Sequence, residues 1–402
     1  MPPSARSYLD WNATAPLRAE ARDAMLEALE AVGNPSSVHH EGRAARHVVE
    51  RARLEVAALL GAEPGNVVFT SGGTESNAMA LNPAIETPRQ RNSGQLLVSA
   101  VEHVSVLAGG GFAAGAVEAI PVTADGVVDL GALERRLAEL ARSLARDGSG
   151  PPLVSIMAAN NETGVIEPVA EAAALVHAAG GLLHVDAVQA LGRIPFDLAR
   201  SGADLVTVSA HKLGGPKGAG ALVRRDATLH FAAPLVRGGG QERGARAGTE
   251  NVAAIAGFGA AARAAGAGLK DAAARMRALR DRLEAGLLAA APAASPAVMV
   301  FGRGAGRLPN TSLFAAPGVR AETALIGLDL AGFSVSSGSA CSSGKVTVSH
   351  VLTAMGVAKD LAGGAIRVSV GHATPENDID GFLKAWRKLI SGLSSRKSGP
   401  AA

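Results

Sequence analysis

Eight lysines stand against thirty-one arginines in this chain, and none of the eight precedes position 212. Lys212 lies in Ser209-Ala-His-Lys212-Leu-Gly-Gly-Pro-Lys217-Gly, after the apolar run Asp204-Leu-Val-Thr-Val208 and before a cluster of glycines. A guanidinium keeps its proton under ordinary conditions, whereas an ammonium can release one and the free amine can form a Schiff base with an aldehyde. Upstream, His184-Val-Asp186-Ala-Val-Gln189 puts an acid at the end of another apolar run. An imine-forming lysine with an acidic partner for a ring nitrogen is the arrangement that pyridoxal phosphate requires.

Further residues fit that cofactor. Thr70-Ser-Gly-Gly-Thr74-Glu-Ser-Asn77 follows a strand-like run and opens a helical one. Its glycines, Gly73 among them, allow close backbone approach, and the free N–H groups of a helix start attract an anion. Ser209 and His211 flank the lysine, and both can donate to a phosphate. His103 follows the strand-like run 95–99, where ligands of α/β proteins gather, and this favours an acid–base role over a satisfied core histidine. Arg367 stands in Ala365-Ile-Arg-Val-Ser-Val-Gly, and its planar fork suits the carboxylate of an amino acid. Cys341, the single cysteine, lies in Ser336-Ser-Gly-Ser-Ala-Cys341-Ser-Ser-Gly344, a run without a large apolar side chain. Nothing there anchors a core, so the thiol is expected to be exposed and mobile, with a pKa near about 8.5 unless the site lowers it. His39, His40 and His47 have no paired acid or cysteine at ligand spacing, and no metal site is expected.

Bulk properties narrow the class. With 402 residues, two domains are expected. The 39 basic side chains nearly balance 36 acidic ones, and arginines alternate with acids along 133–146, so nucleic-acid binding is not expected. The N-terminus lacks the apolar core of a signal peptide, no run reaches membrane-spanning length, and one cysteine rules out an internal disulfide. A soluble cytoplasmic protein follows as the expectation.

The elements that must position these residues alternate. Short apolar runs at 67–70, 95–99, 153–158, 182–186, 204–209 and 220–223 suit strands buried on both faces. Helical patterns fill 42–60, 130–147 and 169–179, and this alternation predicts an α/β fold with a mainly parallel sheet between helices. The stretch 109–116 fits either a linker or a loosely specified helix. The Gly/Arg-rich run 237–249 excludes regular structure, and a long helical pattern at 268–288 leads into a second domain. The tail 391–402 is expected to fray.

Taken together, the chain resembles the cysteine desulfurases of the class V aminotransferase group, of the type with the short SSGSAC segment. The likeness runs through Tyr8-Leu-Asp10, Asn34-Pro-Ser-Ser37, TSGGTESN, Glu102-His103, Asn160-Asn-Glu-Thr-Gly164, VDAVQ, SAHKLGGPKG, GGGQERGARAGTEN, SSGSAC at 336–341 and Arg367-Val-Ser-Val-Gly371. The resemblance implies a fold-type-I pyridoxal phosphate enzyme. Its large domain, residues 15–265, would carry a mainly parallel seven-stranded sheet. Residues 1–14 and 266–402 would form a smaller α+β domain holding Cys341 and Arg367. It also implies Lys212 as the Schiff-base lysine, Asp186 as the pyridinium partner, and Gln189 and Asn161 beside the ring hydroxyl, with Asn161 also near substrate. His103 would stack on the ring and shuttle protons, while Gly73, Thr74, Ser209 and His211 would hold the phosphate. Thr249 would reach the phosphate of a second subunit in a homodimer. L-cysteine would become L-alanine, its sulfur passing as a persulfide on Cys341 to an acceptor such as an iron–sulfur scaffold.

Two departures stand out: Lys345-Val-Thr-Val follows where relatives commonly carry Leu-Glu-Pro, and the C-terminal tail does not resemble a scaffold-docking extension. Alternatives are a pyridoxal phosphate enzyme acting on another small amino acid, selenocysteine lyase and aminotransferase included, and, more remotely, an inactive interaction partner.

Overall fold

The computed structural model describes residues 6–87, 90, 91, 94–147, 150–289, 298–338 and 348–397. At its centre is a seven-stranded sheet. In chain order its strands are β1 (Val67–Thr70), β2 (Leu96–Ser99), β3 (Val117–Ile120), β4 (Leu153–Ser155), β5 (Leu182–Asp186), β6 (Leu205–Ser209) and β7 (Gly220–Arg224). Their spatial order is β1-β7-β6-β5-β4-β2-β3, and only β7 runs antiparallel to its neighbours. Six strands are buried along their whole length, as expected where helices cover both faces. Because β7 reverses direction between β1 and β6, the ends at Thr70, Asp186 and Ser209 share one edge of the sheet, the edge where α/β folds bind ligands.

The expected helices lie at His40–Leu60, Leu130–Asp147 and Val169–Ala178. Two expectations fail. Residues 109–116 are neither linker nor helix: Gly109 and Gly110 take φ of 79° and 56°, and only a 3-10 turn, Ala114–Ala116, forms before edge strand β3. That strand has no apolar run to announce it: Val117 and Glu118 are half-buried and Ala119 is exposed. The fraying expected from residue 391 does not occur as far as Lys397, since the helix Glu376–Lys397 continues through it. Its register explains why: Phe382, Leu383 and Trp386 are buried, and Leu389, Ile390 and Leu393 pack against the same cluster.

The hydrophobic core around the sheet is distinct from a second one that joins Leu9 to residues between Met276 and Trp386. Phe314 organises the latter, with Trp386 and Phe382 set edge-on at centroid distances of 5.2 and 6.5 Å. Beside it, Thr311–Ala315 pairs antiparallel with Ile366–Ser369, and an isolated bridge joins Asp10 to Ser369. The N-terminal segment thus runs past this second core before it reaches the central sheet. No single helix among the described residues is long and apolar enough to cross a membrane; the bent pair Val252–Ala267 and Leu269–Ala289 meets the criterion only jointly, and its first helix is largely buried.

Candidate active site

A cavity of about 340 Å³ opens at the carboxyl edge of the sheet. Lys212, at the end of the 3-10 turn that follows β6, and Asp186, the last residue of β5, both line it. The Lys212 ammonium donates to the carbonyls of Asn12 and Ala13, the latter at 2.7 Å. The Asp186 carboxylate accepts from the Val188 N–H at 3.0 Å and from Asn77 Nδ2 at 2.9 Å, so it is fixed in direction.

The same Asn77 amide donates to Ser105 Oγ at 2.9 Å, and Ser105 Oγ lies 2.8 Å from His103 Nδ1. The Ser105 N–H also donates to Nδ1, at 3.2 Å. With its oxygen occupied by Asn77, the Ser105 hydroxyl turns its proton to Nδ1, which places the proton of a neutral imidazole on Nε2. Burial keeps His103 neutral by lowering its pKa, with Lys212 and His350 adding to the effect and Asp186 opposing it. The result is a relay from Asp186 through Asn77 and Ser105 to a ring nitrogen held as an acceptor.

Beside the lysine, the helix Gly73–Ala80 starts at Gly72, whose φ of 154° favours glycine. A Cβ on Gly73 would come within 3.2 Å of Val188, a tight approach that a bare backbone avoids. Thr74, Ser209 and His211 line the cavity there. Burial, reinforced by Lys212, lowers the His211 pKa to about 4, which leaves its imidazole neutral and able to act as an N–H donor.

Arg367 closes the opposite side. Its Nη1 donates to the Asn161 carbonyl at 2.9 Å and its Nη2 to Asp10 Oδ1 at 2.7 Å. Among the described residues its Nε has no partner, although Arg367 is only 3% exposed. Asn161 Oδ1 and Gln189 Oε1 are likewise buried and without partners.

These orphans bear directly on the cofactor. A buried polar atom left unpaired costs about 1–3 kcal/mol, and these three, with Asn77 Oδ1 as a fourth, belong to residues lining one cavity. Two oxygens can accept from a ring hydroxyl, and a guanidinium N–H can bind a carboxylate. A fixed acid, an amine and an anion-receptive helix start complete the donor set, and the cavity volume lies in the range of small-molecule sites. The residues fit pyridoxal phosphate.

The model of the aminotransferase class-V family matches residues 7–382. The chain belongs to that family. It is 44% identical to a cysteine desulfurase of Cereibacter sphaeroides, with 96% of each chain covered. It is 40% identical to the cysteine desulfurase NifS of Azotobacter vinelandii, covering 96% of this chain and 93% of that one. A solved NifS-like protein from Rickettsia africae superposes with a TM-score of 0.83 at 33% identity, covering 96% of this chain and 99% of its own. Members of this family are pyridoxal phosphate enzymes, in keeping with the donor set.

Of the residues expected in the site, Lys212, Asp186, Gln189, Asn161, His103, Gly73, Thr74, Ser209, His211 and Arg367 all line one cavity. Thr249 is exposed and does not line it. Cys341 lies outside the described residues. Sequence reasoning passed over Asn12, Asn77, Ser105 and Asp10 as site residues. Asn12 is the most instructive of them: its carbonyl receives both Lys212 and Gln189, and its side chain ties Asn161 to Asn310 and Thr311. It sits outside any periodic element, so only three-dimensional contacts could identify it.

Proposed function

We infer that this chain is a pyridoxal phosphate-dependent cysteine desulfurase. The observation that carries the reading is the meeting of a lysine amine, a fixed acid, an anion-receptive helix start and an arginine with an unpaired donor in one cavity of a class V chain. Bound there, pyridoxal phosphate supplies an aldehyde for an amine and a ring that withdraws the electrons released at the substrate α-carbon.

The protein's own residues do the rest. Lys212 would hold the cofactor through its amine. Asn77 and Val188 hold the Asp186 carboxylate in line, where it would favour a protonated ring nitrogen. Gly73, Thr74, Ser209 and His211 bind the phosphate, while Gln189 and Asn161 meet the ring hydroxyl. Arg367 takes the substrate carboxylate, and Asn161 lies beside the bound amino acid. His103 moves a proton at Nε2, since Ser105 occupies its Nδ1. Cys341 attacks the sulfur of bound L-cysteine as a thiolate: an S–S bond forms and the substrate C–S bond breaks. The carbon gains a proton and leaves as L-alanine, reduced by the same electron pair that the transferred sulfur loses. The balance is L-cysteine plus the thiol giving L-alanine plus a Cys341 persulfide, with no external oxidant.

We further propose a cytoplasmic homodimer in which Thr249 reaches the partner's phosphate site. Its exposure outside its own cavity supports this, as do the exposed Leu26, Leu29, Val32 and Val38. Residues 15–265 and the combination of 1–14 with 266–402 are proposed as the two domains, and the separate core that joins Leu9 to the 276–386 region supports that division. The persulfide's acceptor is proposed to be a protein of iron–sulfur assembly or thiolation.

The test is mass spectrometry of the holoenzyme after incubation with L-cysteine. The expected result is 32 Da added to the Cys341 peptide (~32, one sulfur atom) with alanine formed, both absent from Cys341→Ala while the visible cofactor band persists. Alanine production undiminished in that variant defeats the reading.

A further inference from the structure

Glu162 is 2% exposed and belongs to none of the steps above. It nevertheless sits where both ends of the cysteine-bearing segment 339–347 meet the body of the protein. On the N-terminal side, a Cβ at Gly338 would overlap Glu162 Oε2. On the C-terminal side, the Ser349 hydroxyl donates to that same oxygen at 2.5 Å and accepts from the Leu352 N–H at 3.1 Å, so it also caps the helix His350–Ala354.

The neighbouring contacts join these two ends to the residues that handle substrate. Ser336 exchanges two backbone hydrogen bonds with Arg367, at 3.2 and 2.7 Å. His350 Nε2 donates to the carbonyl of Glu102, the residue before His103, at 2.9 Å. Glu162 follows Asn161, whose carbonyl receives Arg367 Nη1. A buried carboxyl in such a place is costly unless it is bonded, and burial does raise its pKa, against the pull of Ser349, His350 and Arg367. A carboxyl kept there at that cost has a job that an apolar side chain could not do.

We propose that Glu162 is a positioning residue for sulfur transfer: its carboxyl bonds Ser349 and packs closely against Gly338, and so sets where the cysteine-bearing segment leaves and rejoins the site. This rests on the desulfurase reading. Cys341 is three residues along the chain from Gly338. Misplacing a reacting group by about 1 Å can cost a hundredfold in rate, so the anchors' spacing governs the attack on sulfur.

The experiment compares wild-type holoenzyme with Glu162→Ala and Glu162→Gln. Binding of L-cysteine is read from the visible spectrum, persulfide formation on Cys341 from quenched mass spectrometry, and the anchors from the rate of tryptic cleavage after Lys345. Glu162→Ala is expected to slow persulfide formation about ten- to a hundredfold, leave cysteine affinity within about twofold, and speed cleavage after Lys345. Glu162→Gln, which keeps the hydrogen-bonding shape, is expected to restore the rate to within about threefold of wild type. The proposal is overturned if Glu162→Ala forms persulfide at the wild-type rate, or if cofactor and cysteine binding fall in parallel with it. Should Glu162→Ala not fold, Ser349→Ala removes the hydroxyl alone and is held to the same outcomes. Failure of the wild type to form any persulfide defeats the desulfurase reading instead, and the cleavage rates after Lys345 still decide whether Glu162 positions that segment.

Discussion

Two buried arginines set the flank of the sheet against its carboxyl edge. Arg53, 6% exposed, spends its donors within the protein: on the Val67 carbonyl, on both oxygens of Glu242 and on Glu50. It also lies 4.8 Å over the ring of Phe69, whose N–H donates to Glu242 as well. Arg367 is buried just as deeply, yet one donor remains unpaired against an open cavity. A saturated guanidinium belongs to the architecture, whereas an unpaired donor that faces a cavity fits a place kept for a ligand. The Arg53–Glu242 pair also anchors a strained stretch of backbone, since Glu242 and Arg243 take φ of 47° and 56°.

Four measurements test that contrast. The largest effect is expected from Arg53→Leu, which strands Glu242 as a buried charge; urea unfolding is expected to show a loss of about 3–5 kcal/mol, with kcat/KM of the folded fraction little changed. Next, Arg367→Leu is expected to lower kcat/KM for L-cysteine by about a hundredfold or more while the visible cofactor band stays. Near-normal turnover in that variant would break the comparison. A smaller net effect is expected of Arg53→Leu combined with Glu242→Leu: most of the lost stability returns, because apolar replacement of both members of a buried pair is often neutral.

The smallest effect concerns a group that strains the rule. Glu167 is buried, with Oε2 accepting from the Val128 N–H at 2.8 Å and Oε1 unpartnered, yet it lies away from the cavity of Lys212. Burial raises its pKa to about 8, so near neutrality it is largely a protonated acid. Its folded-state value lies above the unfolded one, near 4.5, so its stabilising contribution is complete below that pH and is lost as pH rises through 8. Glu167→Gln is therefore expected to gain in Tm over wild type as pH goes from 5 to 9. A constant Tm difference across that range would show that burial does not hold Glu167 protonated.

Much of the fold was legible because buried parallel strands are written as short apolar runs. Six of the seven central strands announce themselves in that way, and the helix Leu130–Asp147 ends where its pattern does. Edge strand β3 was not legible, since its half-exposed side chains carry no apolar alternation. The C-terminal helix was misjudged from its Ser/Gly composition, because Leu389, Ile390 and Leu393 find partners that lie remote in sequence. In the site, the residues with reactive groups stood out through their type and their glycine-rich settings. Asn12, Asn77, Ser105 and Asp10 did not, because an amide or a hydroxyl takes its role from whatever it touches.

What the sequence by itself determined is the inventory: a solitary early lysine after an apolar strand, an acid at another strand's end, one cysteine among small residues, and an arginine suited to a carboxylate. Side-chain chemistry and strand periodicity are local properties, so they can be read one segment at a time. Only the tertiary structure decided which donors are already spent and which are kept unpaired, that His103 is held as an acceptor at Nδ1, and that Gly338 and Ser349 converge on one carboxyl. Those facts depend on burial and on contacts between segments up to 357 residues apart, such as Asp10 with Arg367, and only packing brings such segments together.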